Sequence, residues 1–186
     1  MRIIPRIFVA TVAVTLMLSG CVPATPSAST PPKPTATPVF ASEAEALAAA
    51  TKAYAAYSAA SDMVTSQGGA NPERISPFVS VNQLSRELKG FKYYEENAVS
   101  SVGNTKFDSV RIETYSGAAQ KDFELSVLLC SDISAIRLVD SSGTNITPAN
   151  VPNRSPLEVG FELGAPPKAK LIVSRSDSWT GTDFCS

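Results

Sequence analysis

Residues 42–66 read SEAEALAAATKAYAAYSAASDMVTS, and this run decides the fold. Ser42 with Glu45 three residues on is a capping box, the signature of a helix start. Leu47, Ala50, Tyr54, Tyr57 and Ser61 recur at intervals of three and four, which places them on one helical face. Alanine has the best helix propensity, so the run persists with little packing. Gly68-Gly69 then stops it. The spacing predicts a helix over 42–66.

Toward the C-terminus, Asn71-Pro72-Glu73 predicts a second helix with Asn as cap and Pro at its first position. Pro77 keeps it short. A third helix fits Val81 to about Asn97, with Leu84, Leu88, Phe91 and either Tyr94 or Glu95 tracing its stripe and Gly90 weakening its middle. From Val99 the period changes to two. Val110, Ile112 and Thr114 alternate with Arg111, Glu113 and Tyr115, and Phe123, Leu125, Val127 and Leu129 define the next strand. Ile136–Val139 leads into the turn Asp140-Ser141-Ser142-Gly143. Leu157, Val159, Phe161 and Leu163 form another strand, and the last starts at Leu171 and runs toward Trp179. Three helices therefore precede a mostly antiparallel sheet of consecutive strands. The fold class is α+β, with the helices on one face of the sheet.

Toward the N-terminus the composition changes. Arg2 and Arg6 bracket the charged start, and Ile7–Leu18 is an apolar run. As a helix that run is about 18 Å long, too short for a hydrocarbon core of about 30 Å. It has the length of a signal-peptide core. Leu18-Ser19-Gly20-Cys21 follows it and resembles the lipobox of bacterial lipoproteins. The resemblance implies that residues 1–20 are a signal peptide, that Cys21 receives a diacylglycerol and further acyl chains of the palmitate type, and that it becomes the first residue. Several acyl chains anchor stably where one is marginal. The expected location is the extracytoplasmic side of the cell membrane. Residues 21–41 then form a tether. Six of the 14 prolines fall within 22–38, among Ala, Ser and Thr, so nothing there builds a core. Fully extended, those residues reach about 50 Å. Residues 42–186 remain as one domain with one core.

The chain has no His and a net charge of −1. Without His there is no Ser-His-Asp or Cys-His chemistry and no His-ligated zinc. The charge balance argues against nucleic acid as a partner. Asp132, Asp140 and Asn145 lack EF-hand spacing, and no phosphate-binding glycine loop occurs, so no metal or cofactor is expected. Asn145-Ile146-Thr147 and Asn153-Arg154-Ser155 fit a glycosylation pattern that arises by chance in a bacterial chain. Cys130 and Cys185 are an even pair in an exported domain and predict a disulfide, the alternative being two buried thiols.

Three stretches carry a second resemblance. Tyr93-Tyr94-Glu95-Glu96-Asn97 runs into Val102-Gly103-Asn104-Thr105. Leu129-Cys130-Ser131-Asp132-Ile133-Ser134 is followed by Val139-Asp140-Ser141-Ser142-Gly143. Trp179 stands ahead of Gly181 and Cys185. With the element order, these resemble NTF2-like (cystatin-like) lipoproteins of high-GC Gram-positive bacteria. The resemblance implies three N-terminal helices packed on a curved sheet as a cone, which often encloses a pocket. Tyr54, Tyr57, Tyr94 and Trp179 are the candidate pocket residues, with Trp179 expected as a core anchor under the last strand. Some relatives are isomerases or dehydratases that pair a carboxylate with Tyr, but Asp108, Asp122, Asp132 and Asp140 show no diagnostic spacing to a Tyr. The resulting expectation is a non-catalytic binding or assembly module of the cell envelope. Its partners would be the membrane through the anchor, envelope proteins or a small apolar ligand. The alternatives are an isomerase- or dehydratase-type pocket enzyme, or a component of an export or conjugation machinery.

Overall fold

Ser42 caps the first helix, α1 (Glu43–Ser66), by accepting from the Glu45 backbone N–H at 3.2 Å. The returning half of the capping box lands one residue early: Glu45 Oε2 accepts from the Ala41 N–H at 2.8 Å. The computed structural model describes residues 38–117, 123–165 and 171–185. Cys21, the expected leader, most of the expected tether and Asp122 lie outside them.

The residues of α1 that reach the core are Ala46, Ala50, Tyr54, Ala60 and Val64, with Leu47 and Tyr57 half-buried beside them. The stripe is therefore rotated slightly from the predicted one, because small alanines allow close approach to the sheet. Gly68 and Gly69 end the helix with φ of +65° and +81°. Gly69 also lies against the Phe91 carbonyl of the next helix, where a Cβ would clash with backbone.

The expected second helix is a 3-10 segment, Pro72–Phe78. Asn71 does not cap it; it is left-handed, with φ of 50° and no side-chain cap bond. Pro72 sits at the start, where its missing N–H costs nothing, but Pro77 lies inside the segment, lacks an N–H and crowds the preceding turn, so no α-helix propagates through it. Ile75 is nonetheless fully buried. The remaining helix, α2 (Val81–Glu96), is capped by Ser80, whose Oγ accepts from the Gln83 N–H at 3.1 Å.

The strands are β1 (Ser100–Val102), β2 (Lys106–Ser116), β3 (Glu124–Asp132), β4 (Arg137–Val139), β5 (Arg154–Leu163) and β6 (Leu171–Ser178). They form an antiparallel four-stranded sheet, β2-β3-β5-β6, and a separate pair, β1-β4. The strands are thus not all consecutive neighbours. The connection between β3 and β5 leaves the main sheet, pairs β4 with β1, and returns. Leu125, Val127, Leu129, Val159, Phe161 and Val173 line the helix-facing side and pack on α1 and Ile75. Burying each such side chain contributes about 1.5–3 kcal/mol. β2 is bulged between Asp108 and Arg111 and between Ile112 and Thr114, which bends that edge.

Leu128 and Cys130 point to the other side of the sheet and are buried too. The C-terminal tail contributes cover there. Cys185 is bonded to Cys130, with their Cα atoms 5.4 Å apart, and the Arg111 guanidinium sits 3.9 Å from the Phe184 ring centre. No helix among the described residues is long and apolar enough to cross a membrane.

Candidate functional site

The space between α1 and the main sheet is filled by side chains. Tyr54 is 3% exposed, and its ring meets Phe107 edge-on at 4.8 Å. Tyr57 lies 5.7 Å from Tyr54 and donates its hydroxyl to Glu87 Oε1 at 2.7 Å. Gln83 Nε2 donates to the same oxygen at 2.6 Å, while Gln83 Oε1 is buried without a hydrogen-bond partner. Burial pushes the Tyr54 hydroxyl up to about 12, with the Asp62 and Glu87 charges adding to it. Burial, then the Glu87 charge, moves Tyr57 further in the same direction. Both phenols stay neutral across the physiological range and act as packing groups.

The open site lies at the far end of α1. It is a cleft of about 510 Å³ between the helices and the β3–β5 connection, within the size range of small-molecule sites. Ser61, Asp62 and Thr65 reach it from α1, Tyr94 from α2, and Ser101 and Thr105 from β1 and the residues after it. The other wall mixes apolar side chains, among them Ile133, Ile136, Leu138 and Val151, with the polar Ser134, Arg137, Asn145, Thr147 and Asn153. Ser101 is paired with Leu138 across β1-β4, which joins the two walls.

Local chemistry holds this geometry. Asp62 Oδ2 accepts the Thr105 N–H at 2.8 Å and Oδ1 accepts its hydroxyl at 2.7 Å, tying the end of α1 to the start of β2. Thr65 and Ser101 share a hydrogen bond of 2.8 Å. Gly103, at φ +103°, lies against the Ala135 carbonyl, so the turn after β1 can approach the β3–β4 loop. The predicted turn at Asp140–Gly143 is present. Asp140 Oδ1 accepts from the Ser142 N–H at 2.8 Å and the Thr144 N–H at 2.9 Å, and these bonds with the Ser142 hydroxyl hold its carboxyl below the usual range. Thr147 Oγ1 accepts from the Leu138 N–H at 2.8 Å and donates to Asn145 Oδ1 at 2.7 Å. Arg137 donates to the Ser134 and Ile136 carbonyls at 2.8 Å each, and pairs with no carboxylate among the described residues.

Of the four aromatic candidates, Tyr94 lines the cleft. Burial raises its hydroxyl, and Tyr93 and Asp62 add to the shift. Tyr54 and Tyr57 are core residues. Trp179 lies just past β6 and is half-exposed, so it is no core anchor; its ring packs on Gly181 and its backbone N–H donates to the Pro156 carbonyl at 2.9 Å. Cys130 and Cys185 form the predicted bridge. Asp62, Thr105 and Arg137 were not legible as site residues. Ser61, Asp62 and Thr65 form a polar patch on an alanine-rich helix, which is a usable signal. Thr105 and Arg137 reach the cleft only through the β1-β4 pairing. No group of three possible metal ligands converges among the described residues.

No protein-family model matches the chain, and no curated protein matches its sequence.

Proposed function

We propose that this chain is a lipid-anchored lipoprotein on the extracytoplasmic side of the cell membrane, whose NTF2-like domain is a non-catalytic binding module using the cleft at the end of α1. Leu18-Ser19-Gly20-Cys21, placed directly after a charged start and a short apolar run, carries the reading. The Cys130–Cys185 disulfide supports it, since such bridges persist in oxidising, exported compartments. The order of elements supports the NTF2-like assignment: a long first helix, then a shorter one, both before a bulged antiparallel sheet that they cover on one face.

In this arrangement the Pro-rich tether lifts the domain off the bilayer, and the cleft meets ligands in the envelope. Fractionation of cells expressing the wild type and Cys21→Ser tests the anchor. The wild type is expected in the membrane fraction and cleaved by protease added to cells or protoplasts. Cys21→Ser is expected to leave that fraction. A wild type found in the cytosol, protected from protease, would refute the proposal.

A further inference from the structure

We infer that the cleft takes a neutral, hydroxyl-rich ligand of the saccharide class, with the Tyr94 hydroxyl among the groups that bond it. The inference rests on the binding-module reading and names its ligand. Its basis is the set of polar groups that the fold brings to the cleft and leaves unused. The Ser61 hydroxyl, the Tyr94 hydroxyl and the Asn153 side-chain amide all line it, and none bonds another described residue. A hydroxyl or amide both donates and accepts, which is the capacity a sugar hydroxyl requires. Asp62 adds acceptor capacity: each oxygen takes one bond from Thr105, and a carboxylate accepts about four.

The apolar side chains between Ile133 and Val151, interleaved there with Arg137, Asn145 and Thr147, supply the other half of the match. A sugar ring carries C–H groups on its faces and hydroxyls at its edge, so it can lie against Ile136, Leu138 and Val151 while its edge meets the helix-side hydroxyls. An acyl chain fits less well. It would strip water from those hydroxyls and from the Asp62 carboxylate without replacing the lost bonds. An anion would face the Asp62 charge, and Arg137 commits one guanidinium nitrogen to loop carbonyls at the exposed rim.

The test is an amide NMR titration of the full chain, kept in a detergent without a sugar head group. The probes are glucose, N-acetylglucosamine, octanoate and lysine, added separately. Saturable shifts confined to residues 61–65, 94, 101–105 and 133–153 on adding either sugar are expected. Tyr94→Phe keeps the ring and removes only the unbonded hydroxyl, and should weaken the sugar roughly three- to ten-fold, the worth of one neutral hydrogen bond. Tyr93→Phe, on an exposed ring outside the cleft, should leave affinity unchanged. Octanoate or lysine saturating the same amides with no sugar response would overturn the saccharide class while retaining the binding cleft. Silence to all four probes would overturn both readings. Sugar binding elsewhere, or unchanged affinity in Tyr94→Phe, would overturn the assignment of the site.

Discussion

Arg154 joins three parts of the domain at one point. Its Nε donates to the Cys185 carbonyl at 2.9 Å, and its two terminal nitrogens reach Asp108 at 2.9 and 3.0 Å and Asp132 at 3.3 Å. The Arg154 hydrogen bonds, then Ser109, hold the Asp108 carboxyl below its ordinary range; Ser134, then Arg154, do the same for Asp132. A depressed folded-state value means that the contribution is present above the unfolded value of about 4 and is lost as pH falls through the folded value. Arg154→Ala should therefore flatten the acid limb of a urea midpoint-against-pH curve below about pH 4; an unchanged limb would show the network to be energetically silent. The tyrosines act at the other extreme. Raised folded-state values mean that the Tyr54 and Tyr57 contributions are complete below about pH 10 and are lost as pH rises toward the folded values, about 12 for Tyr54. An absorbance titration of phenolate should show these two ionising after the other tyrosines or together with unfolding. The bridge carries a stability prediction of its own. Closing a loop across 55 residues is worth roughly 4 kcal/mol by chain entropy. Denaturant unfolding of Cys130→Ser should show a loss of about 2–4 kcal/mol.

At the scale of elements, the helix caps are local and separable from the core. Ser80 is buried, and its hydroxyl caps α2 through the Gln83 N–H. Ser80→Ala should cost about 1 kcal/mol in thermal or urea unfolding, and Ser80→Asn, which can cap, should recover part of it. Elements with strong periodicity were legible in the sequence. The α1 capping box, the α2 stripe and the alternation of Leu125, Val127 and Leu129 each predict a segment that the structure contains. The 3-10 segment was misread because an Asn-Pro start looks the same whether or not a helix can continue past Pro77. β1 is three residues long, too short for any period to register, whereas Ile136–Val139 ahead of its turn did mark β4. Their pairing depends on a chain excursion between β3 and β5 that no local pattern records. The cleft inherits that opacity, since its walls come from α1, α2, β1 and the β3–β5 connection. Trp179 was misplaced for a related reason: large aromatics favour cores, but this one follows the last strand and packs on Gly181.

The whole molecule combines a core built on one face of an antiparallel sheet with a tail crossing toward the other. Cys185 and Phe184 cover Cys130 and Arg111 from the far side, so the sheet is not an open surface at that end. Ile75, fully buried in the core shared by the helices and the sheet, tests the core as a unit. Ile75→Ala should destabilise the domain by about 2–5 kcal/mol, read from urea midpoints. The proposed function rests on the anchor and the exported compartment together, and one experiment reads both. The intact mass of the membrane-extracted protein, with and without reduction before alkylation, should give a chain beginning at an acylated Cys21 whose Cys130 and Cys185 are alkylated only after reduction. A chain that retains its leader, carries no lipid and is alkylated at both cysteines without reduction would contradict the account.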